Sequence, residues 1–597
     1  MPGPHDEYRS RLALRQATHR HLSLTDARLS YLRLAAFAGL VIAAALAWNA
    51  LLAWGWTGLP LAAFLALVHR HDRVIRARDE ADRAAGFYER GLARLEDRWI
   101  GTGEQGERFA DSGHPYAVDL DLFGPGSLFE LLSIARTRNG EATLAAWLMT
   151  PASATTIRER HAAVDDLAPR LDLREAVSLA GTAVRAGVHG EALVAWAESA
   201  PLLRPAWLRG AAVALAAGAV AGAALWARTG RFGPLVLVLA LEGLLFFSNR
   251  ARMQQVLHAA GGWSRDLDVL AHVLALLEQD AFTAPQLVRL RERLDAAGAA
   301  PARAIRSLHR LVEMHDWTHN MIFAAIAIPL LWDVHLAWAM EAWRARYGAH
   351  VRVWLDAVGE FEALGSIAAY RYEHPDDPYP EIIDGSADAI FDGHGLGHPL
   401  LAQARMIRND VTLAPPTRLL LVSGSNMSGK STLLRTIGIN IVLAQAGAPV
   451  RAVALRLTPL TLGATLRIQD SLQEGRSRFY AEITRVRDLA TLALAPPPLL
   501  FLLDELFHGT NSHDRLVGAA GVLRMLLDRG AIGLVTTHDL ALTAVADGLG
   551  ARAANVHFDD RFDEGEMHFD YRMKPGPVTR SNAIALMRAV GLDVGPA

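Results

Sequence analysis

The sequence predicts a multidomain protein with two architectures in tandem. A long α-helical part carries apolar helical hairpins, and an α/β domain built around a phosphate-binding loop follows it. Three observations carry this reading. Long charge-free apolar stretches occur twice in the first 250 residues, and apolar residues recur at helical spacing between them. From about residue 400, short apolar runs alternate with helical segments, as in a parallel sheet. At 597 residues the chain is too long for one compact domain. We divide it into a polar N-terminal segment (1–30), an apolar hairpin (31–72), a helical linker (73–118), a helical domain (119–375) with a second hairpin at 210–248, and an α/β domain (376–597).

Composition narrows the classes. Hydrophobic residues make up 51% of the chain, high for a soluble protein and a pointer to membrane segments. A net charge of −3 argues against the overall basic field that many nucleic-acid binders use. With no cysteine, disulfides, cysteine-ligated zinc and thiol catalysis are excluded. Basic residues are almost all arginine, and only Lys430 and Lys574 are lysines. A lysine inside a phosphate-binding pattern therefore stands out. Residues 1–30 are polar, and no small-residue cleavage site follows an apolar run, so no cleavable signal peptide is expected.

No charge occurs over residues 34–68, longer than one membrane span requires. Trp48, Trp54 and Trp56 cluster in the middle with Asn49, Gly55 and Gly58. Interfacial tryptophans beside a glycine-containing turn predict a hairpin of two short spans. Arg33 precedes it and His69, Arg70, His71 and Arg73 follow, which places both ends in the cytoplasm. A second pair follows the same plan. Residues 210–227 are uncharged, with Gly218 and Gly222 spaced for close helix approach, and residues 235–247 are apolar except for Glu242. Residues 321–332 are apolar but short and contain Pro329, so we read them as a buried helix. The expected location is the inner (cytoplasmic) membrane, multi-pass, with the α/β domain in the cytoplasm.

The chemistry lies in the α/β domain. Residues 418–423 (RLLLVS) read as a buried strand. Gly424, Ser425, Asn426, Met427, Ser428, Gly429, Lys430 and Ser431 follow, and Thr432 opens a helix. This is GxxxxGK[ST] in strand–loop–helix context, the loop whose backbone N–H groups surround phosphates. Lys430 is expected to reach the terminal phosphates of ATP, and Ser431 to ligate Mg²⁺. A second buried run, 498–503 (PLLFLL), ends in Asp504-Glu505. A carboxylate at the tip of a neighbouring strand is where a Mg²⁺ partner belongs, so Asp504 is the second metal residue and Glu505 the group that polarises the attacking water. A third strand, 531–535, leads to Thr536, Thr537, His538 and Asp539. His538 at a strand end is placed to sense or orient the leaving phosphate.

These residues together resemble the MutS family of DNA mismatch repair ATPases. The loop SGSNMSGKST is similar to that family's loop, with Asn and Met at the same interior positions. Asp504-Glu505 followed by Gly509, Thr510, Asn511, Ser512, His513 and Asp514 resembles its DE…GT…D stretch. Gly475, Arg476, Ser477, Phe479 and Glu482 resemble its GRSxFxxE segment. His398-Pro399, Asn409-Asp410, and Lys574-Pro575-Gly576 with Thr579-Arg580-Ser581 resemble its HP, ND and K-P-G elements. The match covers roughly 395–593. Less specifically, residues 119–132, Arg136, Thr137, Arg138, Gly140, Trp147 and Leu148 resemble the start of the MutS core.

The resemblance implies an ABC-type ATPase using ATP and Mg²⁺ as a homodimer. In such a dimer the segment 509–512 of one subunit completes the other's site, with Ser512 near the partner's γ-phosphate. His508 and Asn511 depart from the usual residues there. About 120 residues precede the core-like start, so a membrane-associated variant without the mismatch-recognition domain is expected, and no nuclease-like tail. Phe87-Tyr88-Glu89 resembles the family's mismatch wedge motif, but in a charged helical setting it is read as coincidence. The reading is a membrane-anchored MutS-like ATPase whose cycle drives conformational change, with DNA as a partner left open. The alternatives are a DNA-independent membrane-linked switch and an ABC-type transport ATPase.

Overall fold

A pair of long helices opens the chain. α1 runs over Pro4–Trp48 and α2 over Gly58–Leu95, joined through a 3-10 turn at Trp54–Thr57. The computed structural model describes residues 3–578 except 181–189, 204–206, 261–263, 296–299, 321–322, 324–326, 426, 468–477, 508–510 and 564–565. The polar segment expected at 1–30 is not separate but forms the first part of α1. The reason is in its few apolar residues: Tyr8 is buried against Phe87 and Tyr88 of α2, with ring centroids 6.4 and 5.8 Å away. Further along, Asp26 accepts from Arg78 at 2.6 Å and also pairs with His71. Beyond Arg33 and Arg70 the hairpin is apolar and uncovered, with Phe37, Val41, Ile42, Trp48, Trp54 and Trp56 all exposed. Phe87 and Tyr88 are core residues, and the Tyr88 hydroxyl bonds to Glu175, so this motif presents no exposed wedge.

The linker expected to be helical through residue 118 stops being so at Leu95. Asp97 takes φ +55°, and Gly101 and Gly106 follow at +80° and +66°. These left-handed positions break the helix, and residues 96–127 form turns with one 3-10 segment, Glu107–Phe109.

The second apolar hairpin is formed by Trp207–Thr229 and Gly233–Ala260. A Cβ at Gly222 would lie 3.1 Å from the Leu235 Cα, so glycine there permits the close approach. Among the described residues, three helices, Pro4–Trp48, Trp207–Thr229 and Gly233–Leu257, are long and apolar enough to cross a membrane. Of the apolar stretch 321–332, residues 321–322 and 324–326 lie outside the described residues. The described part is a 3-10 turn, Ile328–Leu330, with Ile328 exposed rather than buried. Pro329 cannot continue a regular helix, and Leu331 takes φ +47°.

The α/β domain holds two sheets. The smaller one, unforeseen from sequence, has the order β1-β5-β2-β3, with β1 Glu381–Ile382, β2 Phe391–Leu396, β3 Asn409–Leu413 and β5 Ala454–Leu457. The larger uses β4 (Leu419–Ser423), β6 (Thr461–Thr465), β7 (Leu499–Leu503), β8 (Ile532–Thr537), β9 (Ala553–Asp563) and β10 (Glu566–Pro575), in the order β10-β9-β4-β8-β7-β6. All neighbours are parallel except the β9–β10 hairpin. β4, β7 and β8 are buried along their whole length, as strands covered on both faces must be.

The helical part and the α/β domain share one continuous core that includes Leu120, Leu364, Ile437 and Leu502. A polar node joins the first hairpin to it. Glu373, at the end of the helix Val351–Glu373, accepts from Arg94 at 2.7 Å and from the Tyr8 hydroxyl at 3.1 Å. Four residues on, Asp377 holds Arg451 at 3.0 Å. Removing the acceptor from a buried pair leaves an uncompensated charge. Glu373→Ala is therefore expected to lower unfolding free energy by about 3 kcal/mol and to speed proteolysis within α1. An unaltered denaturation midpoint would remove this node from the account of how the hairpin is held.

Candidate nucleotide site

The site begins where β4 ends. The chain turns at Gly424 (φ +155°), Met427 (φ +70°) and Gly429 (φ +102°), and the helix Lys430–Ala446 starts at Lys430. The glycines are required by space as well as by φ. A Cβ at Gly424 would lie 2.8 Å from Ser428 Oγ, and one at Gly429 would lie 3.1 Å from the Tyr571 ring. Met427 holds a left-handed conformation without that freedom and is fully out in solvent. Strain of this kind collects at functional loops.

Lys430 is buried, and its Nζ donates to the carbonyls of Gly424 and Ser425, both at 2.7 Å. Burial lowers its pKa, while Glu505, Asp504 and Asp560 act in the opposite sense. The Ser425 and Ser428 hydroxyl oxygens are buried without a hydrogen-bond partner. A curled glycine loop with unpartnered hydroxyls and an enclosed ammonium at a helix N-terminus fits a phosphate group.

Asp504 and Glu505 lie at the tip of β7. One strand separates β7 from β4, because β8 pairs with both. Ser431 Oγ nevertheless reaches Asp504 Oδ2 at 2.6 Å. Thr536, at the end of β8, donates its hydroxyl to Asp504 Oδ1 and accepts the Glu505 N–H at 3.1 Å. Glu505 takes φ +51°, and its Oε1 lies 3.1 Å from His538 Nδ1. The ends of β4, β7 and β8 thus bring Lys430, Ser431, Asp504, Glu505 and His538 into one site. A hydroxyl beside a carboxylate is an oxygen donor set suited to Mg²⁺, which needs few protein ligands when a phosphate supplies the others. Among the described residues no cluster of three or more His, Asp or Glu forms a separate metal cage.

Beside the loop opens a cavity of about 670 Å³, lined by Gly429, Thr432, Leu396, His398, Phe558 and Tyr571 among others. Its volume suits a nucleoside. Tyr571 takes φ +51° at an irregularity in the β9–β10 pairing. Asn409 clamps it there, donating to the Tyr571 carbonyl at 3.0 Å and accepting from Met573 N at 2.8 Å. That gives the Asn409-Asp410 element a physical role, since Asp410 caps Gly395 N at 2.6 Å. Lys574 of the K-P-G element serves as a strut between Asp559 and Asp570, 2.8 Å from each. Glu482 is buried and holds the N–H of Phe507.

Thr536 and Tyr571 were not singled out from sequence. A hydroxyl two residues before His538 at a strand end was the available signal for Thr536; Tyr571 was seen only as the start of the segment that holds the K-P-G element, with no role of its own. Asn426, residues 475–477, Gly509-Thr510 and Thr579-Arg580-Ser581 lie outside the described residues. Ser512 is the first residue of the helix Ser512–Asp528, and Asn511 caps that helix by accepting from Asp514 N at 2.9 Å. The unusual Asn511 thus has a local role.

Residues 420–594 match the family model for MutS domain V. The chain is 37% identical over 197 residues to the "Endonuclease MutS2" of Thermus thermophilus, covering 33% of this chain and 25% of that protein. It is 33% identical over 240 residues to "DNA mismatch repair protein MutS 2" of Halobacterium salinarum, covering 40% and 27% respectively. With the "Endonuclease MutS2" of Thermomicrobium roseum the identity is 32% over 225 residues, 36% of this chain and 28% of that one. The chain thus spans about a quarter of the length of the curated relatives it matches.

His398 forms one wall of the cavity. It is buried, its Nδ1 accepts from Leu400 N at 3.2 Å, and burial with Arg435 nearby pushes its pKa down to about 4. A histidine kept neutral in the folded state takes up its proton more readily when unfolded, so stability is lost as pH falls from the ordinary histidine range toward 4. At pH 5 His398 is expected to cost about 2 kcal/mol relative to pH 7. Denaturation of His398→Gln at both pH values should show a smaller difference than the parent; equal differences would refute the assignment.

Proposed function

We propose that this chain, which belongs to the MutS family through its C-terminal domain, is a membrane-anchored ATPase whose nucleotide cycle moves the helical part against the membrane. The observation that carries this is the convergence of Lys430, Ser431, Asp504, Glu505 and His538 at the ends of three adjacent strands. Lys430 exchanges its two loop carbonyls for phosphate oxygens of the substrate, ATP. Ser425 and Ser428 supply hydroxyls, and the loop and first helical turn, Gly424 to Thr432, enclose the phosphates. The base and ribose take the cavity beside Tyr571 and His398.

Ser431 and Asp504 would hold Mg²⁺, which when bound would neutralise charge developing on the phosphates. Thr536 fixes the Asp504 carboxylate and the Glu505 backbone together. Glu505 orients and polarises the attacking water, and His538 positions Glu505. Ser512, the first residue of its helix, completes the site of a second copy in a homodimer.

The membrane side rests on the uncovered apolar helices. Those of the second hairpin are about 34 and 37 Å long at 1.5 Å per residue, enough for the ~30 Å hydrocarbon core. The charge-free arms of the first hairpin, residues 34–48 and 58–68, reach only about 22 and 16 Å. Its helices run on past these arms, and the first, Pro4–Trp48, is long and apolar enough to cross a membrane, so this hairpin too enters the bilayer, with its tryptophans at the tip. The α/β domain lies in the cytoplasm at an inner membrane.

A second reading is favoured by the relatives' names, which speak of mismatch repair and an endonuclease: a tethered ATPase that responds to DNA structure. Hydrolysis rates in nanodiscs with homoduplex, mismatched and branched DNA over a salt series separate the two. Stimulation that fades with salt selects the DNA reading; no response at low salt selects the DNA-independent switch. For the site itself, Lys430→Ala is expected to weaken ATP binding at least about 100-fold. Glu505→Gln should retain binding and slow turnover by about 10²–10⁴. Full hydrolysis by Lys430→Ala would end the assignment of the loop, and unchanged turnover in Glu505→Gln would move the water-activating role elsewhere.

A further inference from the structure

Glu242 is the single acidic residue of the helix Gly233–Ala260. Its surroundings differ from those of the other acids described above. It is 4% exposed, and its Oε1 has no hydrogen-bond partner. It lines a cavity of about 560 Å³ between this helix and the segment Ile328–Val334. The wall is mostly apolar. Phe246 and Phe247 stand on the same helix, and Ile328 and Trp332 face them. The other carboxylate on the wall, Asp333, is already engaged by His315 Nδ1 at 3.3 Å. Among the described residues, no lysine or arginine lines the cavity.

On the membrane reading proposed above, on which this inference rests, an unpartnered carboxylate in this apolar setting costs several kcal/mol unless a proton or a cation meets it. Two carboxylates without a basic residue exclude an anionic ligand. An inorganic cation is disfavoured as well, because no third His, Asp or Glu joins them among the described residues. What remains is a cation that carries its own apolar body. Aromatic rings offer such a cation their faces, and the volume falls in the range of small-molecule sites. Ile328 and Phe247, both exposed, mark a mouth that opens on the apolar surface of the hairpin.

We propose that this cavity binds an amphiphilic organic cation, an ammonium group bearing an alkyl chain. Glu242 is its counter-ion, and Phe246, Phe247 and Trp332 pack its body. The ammonium could be borne by a lipid amine of the bilayer or by a free alkylammonium; the chemistry is the same.

The test uses the full chain in phosphatidylcholine nanodiscs with tritiated dodecyltrimethylammonium as probe. Saturable binding at one site per chain is expected, displaced by unlabelled probe and not by dodecyl maltoside, a neutral amphiphile of equal chain length. Glu242→Gln preserves shape and should bind at least about tenfold more weakly, with an unchanged thermal midpoint as the check on folding. Trp332→Leu should weaken binding less. Repeating the titration with phosphatidylethanolamine in the disc identifies the source. A fall in apparent probe affinity in the parent, absent in Glu242→Gln, names the lipid amine as occupant; no fall names a free alkylammonium. Non-saturable partitioning, equal affinity in parent and Glu242→Gln, or equal displacement by dodecyl maltoside would overturn the proposal.

Discussion

Burial of the helix Lys430–Ala446 on both of its sides is the constraint from which the rest of the molecule follows. Fourteen of its 17 residues are buried. The larger sheet covers one side and the N-terminal layers cover the other. Leu120 packs so closely that a Cβ at Gly438 would lie 2.6 Å from it. At the far end Arg160 donates to the Ala446 carbonyl at 3.0 Å while its guanidinium lies 3.6 Å from the centre of the Trp147 ring. A helix held this way cannot shift alone, because close-packed interiors transmit displacement rather than absorb it. The glycine loop at its start is thereby tied to segments roughly 260 to 310 residues earlier in the chain.

A second set of contacts reinforces the tie from the β6 side. Asp119 accepts from the amides of Leu466 and Arg467, both at 2.8 Å, and Arg485 donates to the His114 carbonyl at 2.6 Å. The turn-rich segment 96–127 is therefore a clasp on the α/β domain. Through Glu373 and Asp377 the base of the first hairpin joins the same frame. The uncovered apolar tip and the glycine loop are two ends of one packed body.

The parts legible from sequence were those in which a local pattern and a chemical requirement coincide. Strands buried on both faces read as unbroken apolar runs, so β4, β7 and β8 were visible to within a residue or two, and with them Lys430, Ser431, Asp504 and Glu505. The smaller sheet was hidden because β1 and β5 are two and four residues long and pair across 75 residues. Residues 96–118 of the linker were misread as helical because the helical spacing before them persists to Leu95, and the glycines that follow were given too little weight against that periodicity. The continuity of residues 1–30 with α1 depended on Tyr8 and Asp26 meeting partners in α2, a tertiary fact. Thr536 and Tyr571 share that character, since each acts on a residue brought to it by a different strand.

The enclosure of Lys430 has a further consequence. The chain has two lysines and no cysteine, and Lys574 is engaged by two aspartates. Apart from the chain's own amino terminus, every primary amine of the molecule is thus either inside the glycine loop or in an ion pair. Acylating reagents meet first the amino terminus and Lys574, whose side chain is 32% exposed, and reach the buried Lys430 only when the loop opens. The rate at which that amine becomes labelled is a direct optical or mass-spectrometric gauge of how often the loop opens, with no probe needing to be introduced.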